Sequence, residues 1–95
     1  MQTVLFQGVQ CNVVRLNYGN GRVALQLIVV DDGEQMATAT TNLPEVPLAA
    51  DEVIIKTYSE NAGLLEALVA GGIVAPTGRT AQAGFHAVPI CRLLP

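Results

Sequence analysis

The stretch from Asp51 to Pro76, DEVIIKTYSENAGLLEALVAGGIVAP, constrains the fold more than any other part of the chain. Val53-Ile54-Ile55 reads as a short buried strand, and a polar turn follows it. Ser59 or Asn61 is expected to cap the one convincing helix by accepting from free first-turn amides, with Glu60 at the positive end of its dipole. Leu64, Leu65, Leu68 and Val69 then recur at i, i+1, i+4 and i+5 as one apolar stripe, with Glu66 and Ala70 off it. Gly71-Gly72 ends the helix, one of the pair in the left-handed conformation. A helix over about 60–71 is roughly three turns long and too short to persist alone. It therefore needs a sheet to pack on, and Ile73-Val74-Ala75 supplies one further extended piece.

The residues ahead of this stretch read as β-hairpins. QTVLFQ (2–7) is a first strand that Gly8 breaks, and QCNVVRLN (10–17) is a second. In that second strand Val14 and Leu16 share one face, and Cys11, Val13 and Arg15 the other. Asn20-Gly21 predicts a tight turn in which both central positions take positive φ. RVALQLIVV (22–30) alternates Val23, Leu25, Leu27 and Val29 against Arg22, Ala24 and Gln26, a strand with one packed and one partly wet face. Asp31-Asp32-Gly33 turns the chain into EQMATATTNL (34–43), so residues 10–43 read as a three-stranded meander. Pro44 and Pro47 forbid regular sheet in the connector LPEVPLAADE, which is expected to cross one end of the sheet and bury Val46 and Leu48. Residues 79–84 (RTAQAG) read as a mobile loop or an edge ribbon. In FHAVPICRLL, Pro89 lacks an amide hydrogen, which predicts an edge strand or a gap in the ladder.

The expected fold class is therefore α+β: an antiparallel sheet of about five to six strands, with the meander at 10–43, packed by a single α-helix at about 60–71. The 95 residues are expected to form one domain, 1–95. The apolar fraction is 51% but aromatics are only 4%, so the core has to come from Val, Leu, Ile and Ala. No apolar run approaches the ~20 residues that cross a bilayer. No basic-then-apolar leader is read ahead of the domain. The expectation is a cytoplasmic protein with no membrane partner.

Eight acidic against five basic residues leave a net charge of −3, and the bases are scattered. Nucleic-acid binding draws on clustered cations that release counterions from phosphates, so no direct nucleic-acid partner is expected. Asp31, Asp32 and Glu34, with Glu45, Asp51 and Glu52, form a local acidic set, explained either as turn chemistry or as a small binding patch. Cys11 and Cys91 have neither zinc-ligand nor CxxC spacing and read as small buried hydrophobes. The carboxylates show no HExxH or DxDxDG pattern, and no phosphate-binding glycine loop opens the helix. The expectation is no metal and no cofactor. His86 with Cys11 or Cys91 would be the sole route to a thiol–imidazole dyad, and a strand histidine is the plainer explanation. The chain is not expected to be an enzyme. The densest polar cluster is Lys56, Thr57, Tyr58, Ser59, Glu60 and Asn61 at the strand-to-helix joint. Capping accounts for Ser59 and Asn61, but not for Lys56, Tyr58 and Glu60 together.

NGRVALQLIVVDDGEQMATATTNLP, followed by the segment from DEVIIKTYSENAG to GFHAVPICRLL, resembles a family of small uncharacterised proteins carried by phages, plasmids and other mobile elements. The resemblance runs from Asn17 onward, and its specific parts are K-x-Y-S-E-N-x-G and P-I-C-R-L. That family is a domain of unknown function, so the resemblance implies a genomic setting and not a reaction. In that setting a small acidic protein is expected to inhibit host defence, in the manner of an anti-CRISPR protein, by covering the surface of a host protein or defence effector complex. The alternative is a small-ligand binder, for instance for a nucleotide signal, using residues 56–61 with Arg79 or Arg92. The binding residues expected between these readings are Lys56, Tyr58, Glu60, Asn61, Arg79, Asp31, Asp32 and Glu34. An exposed edge strand at 79–92 can also pair with a second copy or a target strand.

Overall fold

The computed structural model describes residues 2–95. Its strands, in chain order, are β1 (Thr3–Phe6), β2 (Val9–Asn17), β3 (Val23–Val29), β4 (Gln35–Thr38), β5 (Glu52–Ile54), β6 (Val74–Ala83) and β7 (His86–Leu93). A single 3₁₀ turn (Ser59–Asn61) and the helix α1 (Leu64–Ala70) stand between β5 and β6. The class is α+β and every strand pair is antiparallel. The strands form two sheets, ordered β1-β2-β3-β4 and β5-β7-β6, and not one sheet of five to six strands. Thr40 and Ile55 bridge the two, with Thr41 N donating to Ile54 O (3.0 Å) and Lys56 N to Ala39 O (2.8 Å). Thr40 is buried at this junction, and its hydroxyl accepts from Leu25 N and meets the Tyr18 hydroxyl at 2.8 Å.

The expected meander is present but extended at its start and shortened at its end. Gln7 and Gly8 take φ of 51° and 77° and join β1 to β2 through a two-residue turn. At Asn20-Gly21 only Gly21 has positive φ, because Tyr18 N bonds Arg22 O and a wider loop closes the hairpin. A bulge between Leu27 and Ile28 shifts the β3–β4 register, so β4 stops at Thr38 and the chain is released toward β5.

The helix is shorter than the apolar stripe predicts. Gly63 sits at φ 84°, which ends the 3₁₀ turn and restarts the chain as α1 four residues later than expected. No side chain caps either turn. Ser59 itself is left-handed at φ 59°, and Asn61 is buried, donating from Nδ2 to Thr38 O at 3.0 Å. Asn61 is thus a tie between the helix approach and β4, not a cap. Leu64 and Leu68 are fully buried, while Val69, expected on the same stripe, is 43% exposed. The far end does behave as predicted. Gly72 (φ 72°) is left-handed, with Gly72 N bonding Val69 O and Ile73 N bonding Leu68 O, a Schellman stop.

Residues 79–83, expected as a mobile loop or an edge ribbon, form the ribbon, continuing the edge strand β6 to Ala83, and β7 is the central strand of its sheet instead of an edge. Pro89 closes the β5–β7 ladder: Ile55 N donates to Pro89 O at 3.0 Å, and the return bond to Ile55 O is the one that the missing amide hydrogen leaves out, which is the gap its sequence allowed. The main core lies between the sheets under α1 and includes Val4, Phe6, Cys11, Leu25, Leu27, Val53, Ile55, Leu64, Leu68 and Cys91. A second cluster, Ile54, Val88 and Ile90, lies on the other face of the smaller sheet under Leu43, Val46, Leu48 and Tyr58, where the connector was expected to bury its apolar residues.

Helix α1 packs against both β1 and β6. Its end comes so close to β1 that a Cβ on Gly71 would lie 2.6 Å from Val4 Cγ1. Val4 is buried and its branched side chain cannot swing aside. Gly71→Ala is therefore expected to cost about 1–3 kcal/mol through overpacking, despite the helix propensity it adds. A chemical denaturation midpoint equal to that of the unsubstituted protein would show that the contact yields freely.

Candidate functional site

Four surfaces carry the candidate residues. At the strand-to-helix joint, Lys56 Nζ lies 3.5 Å from Glu60 Oε1 and 5.5 Å from the centre of the Tyr58 ring. The Tyr58 ring stacks on His86 with centroids 4.3 Å apart and an interplanar angle of 1°. Gln7 Nε2 crosses from the β1–β2 turn to donate to Glu60 O at 2.8 Å and Ala62 O at 3.3 Å. The Glu60 carboxyl is held below its usual range, first by its own backbone amide and then by the Lys56 charge. The structure thus brings Lys56, Tyr58 and Glu60 together and adds His86. Asn61 is turned inward and presents nothing to solvent.

Arg79 does not join them. It extends from β6 to Glu52, the first residue of β5, at the opposite end of that strand from the joint. Hydrogen bonding to Arg79, and then to the Ala49 amide, lowers the Glu52 carboxyl, and the same bond raises the Arg79 guanidinium.

Asp31, Asp32 and Glu34 occupy the exposed β3–β4 turn. Asp32 Oδ1 accepts from Glu34 N at 3.0 Å, and Gly33 takes φ 72°. This is turn chemistry, as one of the two explanations held. Asp31 also has a second position: it lines a groove of about 390 Å³ with Leu5, Gly8, Val9, Gln10 and Val29. A neighbouring groove of about 440 Å³, between β1 and α1, shares Leu5 and Gln10 and adds Thr3, Ala67, Ala70 and Gly71.

The fourth surface is the one that sequence reasoning missed. On the face of the larger sheet turned away from the core, the register aligns Leu5, Gln10 and Val30, then Thr3, Asn12 and Ile28, then Val14, Gln26 and Thr38, then Leu16 and Ala24. Leu5, Leu16 and Val30 are 68%, 45% and 44% exposed. None of these aligned side chains is charged. The signal was present in β2, where Val14 and Leu16 make one alternate face apolar while Cys11 and Val13 make the other so. Such doubled hydrophobicity predicts either a covered strand or an exposed apolar face, and a single strand cannot distinguish them.

Both cysteines are free and buried in the main core. Burial pushes the Cys91 thiol up to about 11 and raises Cys11 as well, which disfavours the thiolate that nucleophilic chemistry needs. His86 and Cys91 fall on opposite faces of β7, so that pair does not assemble the dyad considered from sequence. Among the described residues no three His, Cys, Asp or Glu side chains converge as a metal site. Among them, no helix is long and apolar enough to cross a membrane. Comparison with known protein families, curated proteins and solved structures finds no match.

Proposed function

We propose that this chain is a non-enzymatic protein that acts by covering the surface of another protein, and that its target belongs to a host defence system, an effector complex of the CRISPR kind. The observation that supports surface binding is the outer face of the β1–β4 sheet: exposed Leu5, Leu16 and Val30 among neutral amides and threonines, with no aligned charge. Depletion of charge at the centre of a patch is the compositional mark of a protein–protein interface, and a polar rim is its usual border. Asp31 on the groove beside Leu5, with Asp32 and Glu34 in the same turn, supplies that border in acidic form. A surface that handles nucleic acid is basic at its edges, which suits an acidic rim. The defence setting rests on the resemblance to mobile-element proteins. The joint at 56–61 has less to offer a small ligand, since Asn61 bonds inward and Lys56 is paired with Glu60.

Expression in a phage-challenged host with active CRISPR immunity tests the reading. The unsubstituted protein is expected to abolish protection. Leu16→Glu/Val30→Glu, which places charge on exposed apolar positions at the two ends of the face, is expected to weaken target capture at least about tenfold and restore immunity. Lys56→Ala/Glu60→Ala is expected to leave inhibition intact. Unchanged immunity across several system types would remove the defence role, and full inhibition by the double glutamate variant would remove the face.

A further inference from the structure

The β5-β7-β6 sheet has a free edge along β6, and the register shows which backbone groups it presents. A two-residue turn, with Gly84 at φ 61° followed by Phe85, makes Ala83–His86 the hydrogen-bonded closing pair of the hairpin. Pairing alternates along an antiparallel ladder, so Gln82–Ala87 and Thr80–Pro89 are pairs that do not bond each other. Pro89 confirms the phase, because its carbonyl faces away from β6 and accepts from Ile55 N at 3.0 Å. The amides and carbonyls of Thr80 and Gln82 therefore point outward, and both residues are exposed.

Exposed edges are ordinarily blunted by charge, proline or bulges. The first half of β6 has such protection in Pro76, in the register shift between Pro76 and Thr80, and in Gly78 at φ 84°. The second half has none: Thr80-Ala81-Gln82-Ala83 is regular, small and uncharged. The nearest charge, Arg79, is engaged by Glu52.

We propose that this half-strand is a self-association site, at which β6 pairs antiparallel with β6 of a second copy about a two-fold axis through Ala81. Thr80 then stands opposite Gln82 of the second copy, and each of the two such pairs exchanges two N–H···O bonds, four in all. Ala81 meets Ala81 of the second copy in the close, non-bonded pair, where small side chains fit. Arg79 falls opposite Ala83, so no like charges meet. In this register a second copy brings matched bonding pairs and sets neither charge nor proline against the seam, and a second copy is the occupant proposed. The two sheets become one of six strands. The assembly closes at two on this edge, because the interface is isologous and β5, the opposite edge, is already bridged to the larger sheet. Phe85, fully exposed at the hairpin tip, is carried to the second copy's bulge, opposite Thr77, where its ring gains cover. The pairing uses the smaller sheet and stands independently of the outer-face reading.

Sedimentation velocity on the full chain tests it. A mass near twice 10.0 kDa is expected at tens of micromolar, with slow hydrogen exchange at the Thr80 and Gln82 amides. Gln82→Pro removes one outward amide and leaves the bonds to β7 intact, so it is expected to sediment as a monomer with an unchanged circular dichroism spectrum. Thr80→Lys/Gln82→Lys keeps the backbone and sets lysine against lysine across the seam. It is expected to weaken the dimer at least about tenfold, less so at high salt. A monomer up to about millimolar concentration overturns the proposal, as do unprotected Thr80 and Gln82 amides. Folded Lys variants that dimerise like the parent overturn it too.

Discussion

A Leu68→Ala variant is expected to lose about 3 kcal/mol of folding stability, the middle of the range for truncating a buried leucine. At about 4–8 °C per kcal/mol for a domain of this size, the melting temperature should fall by roughly 12–24 °C. The size of the effect follows from what α1 is. Seven residues make about two turns, too few to hold themselves together, so the helix exists because its buried side is fixed. Leu64 and Leu68 are that side, both with no solvent exposure. Removing Leu68 leaves a cavity beneath the element that packs on both β1 and β6, and the surrounding sheets are too constrained by their registers to collapse into it. Val69→Ala, one residue along and 43% exposed, is the control, expected within about 0.5 kcal/mol of the parent. Thermal and urea unfolding of the two variants side by side checks the claim. Equal losses would mean that the helix is held by something other than its buried leucines.

Asn61→Asp should be as damaging at neutral pH and largely repaired in acid. Asn61 is 2% exposed and its Nδ2 donates to Thr38 O at 3.0 Å. An ionised aspartate would place a carboxylate oxygen against that carbonyl, two acceptors facing each other away from water. An uncompensated buried charge costs about 3–5 kcal/mol. When protonated, the same side chain can donate to Thr38 O and restore most of the tie. Burial raises the folded-state pKa of the new carboxyl above its unfolded value of about 3.9. Stability is then fully present below that value and is lost as pH rises through the folded pKa. Urea unfolding of variant and parent at pH 4 and pH 7 should show a gap that is small in acid and wide at neutrality. A gap independent of pH would mean that the carboxylate finds solvent or a cation, and that Asn61 is not the sealed tie described above. Asn61→Ala, which simply deletes the bond, should cost about 1–3 kcal/mol at both pH values.

Asn61 also shows why the joint was only half legible. An asparagine just ahead of an apolar stripe is chemically fit to cap a helix, and local sequence offers no competing use. The competing use is Thr38 O, 23 residues away, which comes within reach only because β4 stops early and the chain crosses to β5. Lys56, Tyr58 and Glu60 do gather, as their closeness in sequence required. The ring that stacks on Tyr58 belongs to His86, from the other end of the domain. The acidic turn was legible as a turn from Asp32-Gly33. Its place beside Leu5 was not, because that depends on β1 folding back along β2.

What the sequence by itself determined was local: seven extended segments, the glycine-marked turns at Gly8 and Gly33, the Schellman stop at Gly72, and a core of small aliphatic residues. Each of these is decided by the φ range, alternation or volume of a few adjacent residues. Only the tertiary structure decided how the strands divide into sheets. Two sheets arise because the bulge at Leu27–Ile28 and the short β4 end one ladder, and the hydrogen bonds at Thr40 and Ile55 begin another. That division turns Leu5, Leu16 and Val30 outward together and leaves Thr80 and Gln82 on an open edge. Both surfaces exist through pairings between distant segments, and alternation within one strand says which residues share a face but not what lies against it.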